Sequence, residues 1–319
     1  TWMHHKCAAV EGKGPEDIWG SIASKLEAAK ERKCPLAGIA VDLKKCFDLV
    51  PRHLAIRVLT EMGADPRLTT ALDSFYSSMR RRIRIGSALG ESFSSTSSII
   101  QGDPLAMLLL NGIFSCFIYL LEAETDACAD GFADDANITA LAPDTLRTQA
   151  AGRKWVADTV QKSLIPLGEF GALTKQVVNA KKTLLWATDP DMRKELGKLR
   201  FNGEALTVVN AARQLGAFLN FSFRHLVGTT ADRLERAAFS AERVTCLPNA
   251  AHIKRSILAA TSIQQGLYDC SVTAIAKKKI EAWSASCLRA WWGNGRRQRA
   301  KELCWGLFAR GHAENPEEA

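Results

Sequence analysis

The sequence lacks the closely spaced cysteine or histidine pairs that bind zinc. Its nine cysteines include no CxxC pair, and its six histidines include no HxxxH pair. Structural zinc sites need such spacing, so a zinc finger or zinc ribbon is excluded. The cysteines are scattered and odd in number, which favours reduced, buried thiols in an intracellular protein over a disulfide framework.

Long apolar runs are almost absent as well. Leu105–Leu121 is the one exception, and at about 1.5 Å per residue it would span roughly 26 Å, short of the ~30 Å hydrocarbon core. Asn111, Gly112 and Ser115 interrupt it, so we predict a buried helix and no membrane partner. No apolar signal segment follows Thr1, and the missing initiator Met predicts a fragment.

The composition is that of a globular protein, with 47% apolar and 24% charged residues over a length of 319. That length is long for one compact domain, so two packed units are expected. The formal net charge is +8. Between Leu226 and Arg310 there are 14 basic and 6 acidic residues, which predicts a basic C-terminal unit and a polyanionic partner.

Secondary-structure patterns predict an α+β unit followed by a helical one. Short apolar strand patterns alternate with helical periodicity early in the chain, whereas helical periodicity dominates after about Leu226. The predicted domains are therefore residues 1–225 and 226–319. Arg80–Gly86 alternates basic and apolar residues, which predicts an exposed strand in a hairpin whose serine-rich return strand reaches Ile100.

Three acidic residues follow apolar strand patterns. Leu36–Val41 is a short apolar run that leads into Asp42, and Asp134 and Asp135 lie between two more such runs. Carboxylates placed there point to a common edge of a sheet. Brought close together they repel one another, and a divalent cation with oxygen ligands, such as Mg²⁺, removes that repulsion.

Four segments resemble the palm motifs A to D of reverse transcriptases, in the family's order. They are VDLKKCFDLV (41–50), QGDPLA (101–106), FADD (132–135) and NAKKT (179–183). RQLGAFL (213–219) resembles the primer-grip strand of motif E. The residues of these motifs are most similar to those of LINE-type (non-LTR) retrotransposon enzymes, to which group II intron reverse transcriptases are related.

The resemblance implies a right-hand polymerase fold: a palm with an antiparallel sheet and packed helices, partial fingers, and a helical, basic thumb. It also implies an RNA-directed DNA polymerase that extends a DNA primer on an RNA template with dNTPs. A nuclear site of action follows from the retroelement resemblance. The oligomeric state stays open.

The resemblance further implies roles for particular residues. Asp42 and Asp134, with Asp135 beside them, would bind two Mg²⁺ ions, for which Mn²⁺ is an alternative. Lys182, or its neighbour Lys181, would protonate the leaving pyrophosphate.

The incoming nucleotide would lie against three further residues. Phe47 would exclude a 2′-hydroxyl, and Gln101 and Gly102 would contact the nucleotide and the template. Nucleic-acid phosphates would be met by two basic groups, one in the hairpin and one in the C-terminal unit. Their members are Arg80, Arg82 and Arg84 in the hairpin, and Lys277, Lys278 and Lys279 with Arg296, Arg297 and Arg299 in the C-terminal unit.

Two departures from the family pattern favour reduced activity. Ala106 stands where these elements usually have serine, and only about 40 residues precede motif A, so most of the fingers is expected to be missing. A catalytically inactive descendant, an RNA-binding protein or maturase, is therefore the alternative. A viral RNA-dependent RNA polymerase is disfavoured by Phe47 and by Gln101-Gly102.

Overall fold

The computed structural model describes residues 4–7, 12–95, 97–146, 148–223, 230–273 and 275–293. They divide into a first unit, residues 4–211 with 221–223, and a second unit, residues 212–220 with 230–293.

The first unit alternates helices and strands. Its helices are α1 (Pro15–Glu31), α2 (Cys46–Leu49), α3 (Arg52–Glu61), α4 (Pro66–Ser78), α5 (Pro104–Glu124), α6 (Gln149–Thr174) and α7 (Pro190–Leu196). Its strands are β1 (Leu36–Lys44), β2 (Arg84–Ile85), β3 (Ala88–Leu89), β4 (Cys128–Phe132), β5 (Asp135–Leu141), β6 (Val177–Val178), β7 (Leu184–Ala187), β8 (Arg200–Phe201), β9 (Glu204–Ala205) and β10 (Thr207–Val209).

The largest sheet has six strands in the order β10-β7-β1-β5-β4, with β6 also paired to β1. Strand β1 runs antiparallel to β5, β6 and β7, and β7 and β10 are parallel. The side chains of Leu36, Ala37, Ile39 and Val41 are all buried, because a central strand is covered on both faces. The predicted strand extends beyond Val41, through Asp42, to Lys44.

Gly38 is a packing requirement of this strand. A Cβ atom there would lie 2.5 Å from the carbonyl oxygen of Ile138 and 2.5 Å from the Trp186 ring. Trp186 is fully buried and stacks on Phe221 with ring centroids 4.3 Å apart. A side chain at Gly38 would therefore displace either the neighbouring strand or the tryptophan.

Helix α5 contains the long apolar run. By length and composition it could cross a membrane, but 61% of its most apolar window is buried, and it packs against α3, α6 and β4. Asn111, Gly112 and Ser115 are among its buried residues. The helix therefore forms much of the core of the first unit, as predicted.

The predicted cationic hairpin is much shorter than expected. Among the described residues of this segment, only β2 and β3 pair, joined by a two-residue turn, and one further bridge links Arg81 and Phe93. The predicted strand over Arg80–Gly86 and the return strand to Ile100 are therefore wrong in extent. The reason is the absence of a packed face: Ile85 is 78% exposed, and an isolated two-stranded ribbon is marginal in water.

The second unit is mainly helical. It contains most of β11 (Ala211–Gln214), β12 (Ala217–Asn220), α8 (Thr230–Thr245), α9 (Ala251–Leu258), a π-helical turn (Ala259–Ile263), α10 (Gln264–Leu267) and α11 (Lys277–Trp292). Trp283, Cys287 and Trp291 are buried in its core. Residues 213–219 are predicted in the first domain, whereas β11 and β12 group with the helices of the second unit. Arg296, Arg297 and Arg299 lie outside the described residues.

Candidate active site

The three predicted carboxylates lie at one end of β1 and β5. Asp42 is directly opposite Asp135 in the antiparallel register of these strands, so both side chains lie on the same face of the sheet. Asp134 is exposed in the two-residue turn between β4 and β5. Ala133, the other turn residue, has a φ of 55°, which is uncommon outside glycine. The turn lets consecutive aspartates avoid the opposite faces that a strand would give them.

The proximity of these carboxylates affects their electrostatics. Burial raises the pKa of Asp135 to about 6, and the negative charges of Asp134 and Asp42 add to the effect. Burial also raises the pKa of the Cys46 thiol to about 12, with Asp134 as the second cause. Asp134 therefore acts on both Asp135 and the start of α2.

The donor set fits a hard divalent cation, because carboxylate oxygens are the ligands that Mg²⁺ prefers and the mutual repulsion is what a cation relieves. Over the described residues, however, no three His, Cys, Asp or Glu side chains are grouped closely enough to bind a metal ion. The residues thus offer suitable ligands on one edge without being arranged as a finished coordination shell.

The segment NAKKT fixes the backbone of Asp42. The amide of Asn179 donates to the carbonyl of Asp42 at 2.8 Å, and the amide of Asp42 donates to Oγ1 of Thr183 at 3.2 Å. Thr183 is fully buried, while Lys181 and Lys182 between them are exposed. This turn therefore positions Asp42 and displays Lys182 beside the same strand.

The QGDP segment forms a tight turn followed by a helix start. The amide of Asp103 donates to the carbonyl of Ile100 at 3.1 Å. Gly102 has a φ of 91°, as the third residue of a type II turn requires. Asp103 then caps α5 by accepting from the amide of Leu105 at 3.1 Å. A Cβ atom added at Gly102 would meet no other atom within 4 Å. Glycine is therefore required here by the backbone conformation and not by crowding. Gln101 is exposed in this turn.

Phe47 is joined to the segment that leads into this turn. The amide of Ile99 donates to the carbonyl of Phe47 at 2.9 Å. Ile99 is two positions before Gln101 in the sequence, so this bond holds the backbone of Phe47 close to the turn. Its ring is half-buried and packs against the hydrophobic core of the first unit. The structure thus connects the backbone of Phe47 to the segment that leads into the Gln101-Gly102 turn, while the roles of these residues toward a nucleotide stay predictions.

The basic residues occupy exposed positions in both units. Arg80, Arg82 and Arg84 are exposed in and beside the short hairpin of the first unit. Lys277, Lys278 and Lys279 are exposed at the N-terminal end of α11 in the second unit. Their roles in binding nucleic acid stay predictions.

Sequence reasoning missed Arg52 and Thr183. Arg52 is only 6% exposed and donates to several backbone carbonyls. It lies at the first position of the buried stripe Arg52, Ala55, Ile56 and Leu59 on α3. An arginine at the start of an apolar helical stripe was the signal that could have identified it.

Comparisons with known proteins bear on the family. Thirty-three chains of solved structures are similar to this one. They include telomerase from Candida albicans with a TWJ fragment of telomeric RNA, at 11% identity and a TM-score of 0.44 over 91% of this chain and 50% of that one. Telomerase from Candida tropicalis with the same kind of RNA fragment has 13% identity and a TM-score of 0.49, over 96% and 47%. The apo form from that species has 12% identity and a TM-score of 0.47, over 88% and 50%.

The chain thus spans about half the length of these telomerase chains, and the similarity to them is weak. No curated protein matches the sequence. The decisive finding comes from the sequence itself, since residues 5–197 match the family described as reverse transcriptase (RNA-dependent DNA polymerase). That match covers more than half of the chain and includes all four palm motifs, and the chain therefore belongs to the reverse transcriptase family.

Proposed function

We propose that this chain carries the active site of an RNA-directed DNA polymerase. The observation that supports this most directly is the cross-strand pair of Asp42 and Asp135, with Asp134 on the adjoining turn. In this proposal Asp42, Asp134 and Asp135 bind two divalent cations, Mg²⁺ or Mn²⁺. When bound, these ions activate the primer 3′-hydroxyl and neutralise charge on the nucleotide phosphates.

The remaining residues act on the substrates. Phe47 excludes a 2′-hydroxyl from the sugar of the incoming dNTP, and Gln101 and Gly102 contact the nucleotide opposite its template base. Lys182 donates a proton to the pyrophosphate as it leaves. The exposed arginines near the hairpin and the lysines of α11 bind backbone phosphates of the RNA template and the DNA primer.

The element of origin is part of the same proposal. The residues of motifs A and B support a LINE-type, non-LTR retrotransposon enzyme, which would act inside the cell and in the nucleus. The alternative is an RNA-binding protein or maturase that has kept the carboxylates without using them.

Primer extension on an RNA template distinguishes these functions. The wild-type chain should extend a DNA primer with dNTPs and Mg²⁺, and Asp134→Asn should abolish extension while leaving duplex affinity nearly unchanged. Asp73→Asn, an exposed carboxylate on α4, is the matched control and should extend normally. Extension by Asp134→Asn at the wild-type rate would refute the metal-ligand assignment. Tight duplex binding without any extension by the wild type would instead support the inactive alternative.

A further inference from the structure

Arg52 is a buried cation whose partners are backbone carbonyls. It lies in the first turn of α3 and is 6% exposed. Its Nε donates to Ser98 O at 2.5 Å, and its two terminal nitrogens donate to Ser95 O at 2.6 Å, Ser97 O at 2.9 Å and Tyr76 O at 3.1 Å. The guanidinium also lies 5.3 Å from the centroid of the Tyr76 ring.

This arrangement is an unusual use of a charged residue. Burying a guanidinium carries a desolvation penalty, which ion pairing ordinarily offsets. Among the described residues no carboxylate lies within ion-pairing distance of Arg52, and Tyr76 and the four carbonyls are the partners instead. A planar fork with five N–H donors can bond several carbonyls in fixed directions, which neither lysine nor a neutral side chain can do.

Burial of the helix does not explain the arginine. Ala55, Ile56 and Leu59 already form the apolar face of α3, and an apolar residue at position 52 would simply extend that face without a desolvation penalty. What the arginine adds is a connection to Ser95, Ser97 and Ser98, which belong to no helix and to no regular strand.

Those residues connect two parts of the candidate site. The amide of Ser98 donates to Val50 O and that of Ile99 donates to Phe47 O, each at 2.9 Å. Gln101 and Gly102 follow after one intervening residue, Ile100. The segment is thus bonded on one side to the backbone that carries Phe47 and on the other to the guanidinium of Arg52.

Tyr76 extends the network to the far side of the turn. It is 2% exposed, and its hydroxyl donates to Oδ2 of Asp103 at 3.2 Å. Asp103 in turn caps α5. Arg52 therefore contacts, directly or through Tyr76, the residues on both sides of the Gln101-Gly102 turn.

We infer that Arg52 is a positioning residue that sets the distance between Phe47 and the Gln101-Gly102 turn, and thereby the discrimination between deoxyribonucleotides and ribonucleotides. The positioning itself is a property of the fold, whereas its consequence for discrimination rests on the proposed function. Arg52 does not touch the nucleotide in this proposal.

The experiment uses the full chain and two readouts. The first is hydrogen–deuterium exchange at the amides of Ser98 and Ile99. Arg52→Lys keeps the charge but loses the fork, so exchange there should accelerate by about tenfold. Arg57→Gln is the matched control, because Arg57 is an exposed arginine of the same helix whose described ion pair is with the exposed Glu61. It should leave exchange unchanged.

The second readout is the ratio of kcat/KM for a dNTP to that for the matching rNTP. Arg52→Lys should lower this ratio by about tenfold, with Phe47→Val marking the full loss of exclusion. A purely structural role would instead lower both kcat/KM values together and leave the ratio unchanged.

Each outcome decides the matter. If Arg52→Lys shows wild-type exchange at Ser98 and Ile99, the positioning role is overturned. If the dNTP-to-rNTP ratio is lowered in Phe47→Val but unchanged in Arg52→Lys, the link between Arg52 and discrimination is overturned. If Phe47→Val itself changes nothing, the proposed role of Phe47 fails, and exchange alone tests Arg52.

Should Arg52→Lys not fold, Tyr76→Phe removes only the hydroxyl bond to Asp103. It should raise the KM for dNTP and speed exchange at Leu105, and wild-type values for both would refute the network.

Discussion

Asp135 lies in an environment that disfavours its ionised form. Burial and the two neighbouring aspartates raise its pKa to about 6, from an ordinary value near 3.8. The native state therefore binds this proton more tightly than the unfolded state does. Between these two pKa values the folded protein loses stability as the pH rises, and the deficit persists at neutral pH. For a shift of this size the deficit is about 2–3 kcal/mol.

Asp135→Asn should therefore stabilise the protein at neutral pH in the absence of divalent cations. Compared with the wild type, the variant should have a thermal midpoint higher by about 5 °C at pH 7.5, and the difference should shrink towards pH 4. Thermal unfolding in EDTA across this pH range is the measurement. Asp73→Asn should show no such trend, and a constant difference for Asp135→Asn would contradict the origin of the shift.

At the scale of elements, the turn from Asn179 to Thr183 has two functions. Its exposed lysines face solvent, while its two ends bond the amide and the carbonyl of Asp42. A strand residue near the end of its ladder has few partners to hold it, so these two bonds restrict where the Asp42 carboxylate can lie. The conformation of this turn and the geometry of the carboxylates are thereby coupled.

Thr183→Val should impair catalysis more than folding. Valine has the same shape but cannot accept the Asp42 amide, and an unpaired buried amide costs about 1–3 kcal/mol. We expect a lower kcat and a higher Mg²⁺ requirement in primer extension, with the protein still folded by thermal unfolding. Thr183→Ser keeps the acceptor and should restore most of the activity. Equal activity of the valine variant and the wild type would show that the bond does not position Asp42.

At the scale of the whole molecule, the excess of positive charge includes three lysines whose position destabilises the helix that they begin. Lys277, Lys278 and Lys279 begin α11, where the positive end of the helix dipole disfavours cations. All three are exposed, and the one ion pair described for them joins Lys279 to Glu235 at 3.9 Å between exposed side chains, which contributes little. An anionic ligand would offset this repulsion, as nucleic-acid phosphates would.

Replacing all three lysines with glutamine should weaken duplex binding and flatten its salt dependence. Each lost phosphate contact lowers the slope of log affinity against log salt by about 0.9 on B-form DNA, and a hybrid should behave similarly. Fluorescence anisotropy against KCl measures the slope, and Lys194→Gln in the first unit is a control that should leave it unchanged. Thermal stability should not fall, because like-charge repulsion is removed. An unaltered slope would exclude α11 from the nucleic-acid interface.

Local sequence pattern is enough to predict much of this protein's organisation. The apolar run before Asp42 predicted the central strand, the run from Leu105 predicted a buried helix, and the four motifs predicted the family. These features follow from local pattern: side-chain periodicity, turn residues and the order of short motifs are all properties of neighbouring residues. The proximity of Asp42 to Asp134 and Asp135 was also anticipated, because apolar strands ending in carboxylates share a sheet edge.

Other features depend on contacts between residues that are distant in the sequence. The register that places Asp42 opposite Asp135, the bond from Asp42 to Thr183, and the carbonyls around Arg52 join residues 24 or more positions apart in the chain. The hairpin near Arg84 was predicted too long, since alternation alone does not say whether a face finds a partner to pack against. Such contacts depend on how separate elements meet, so the helical pattern can place Arg52 on a buried face but cannot identify the carbonyls that it bonds.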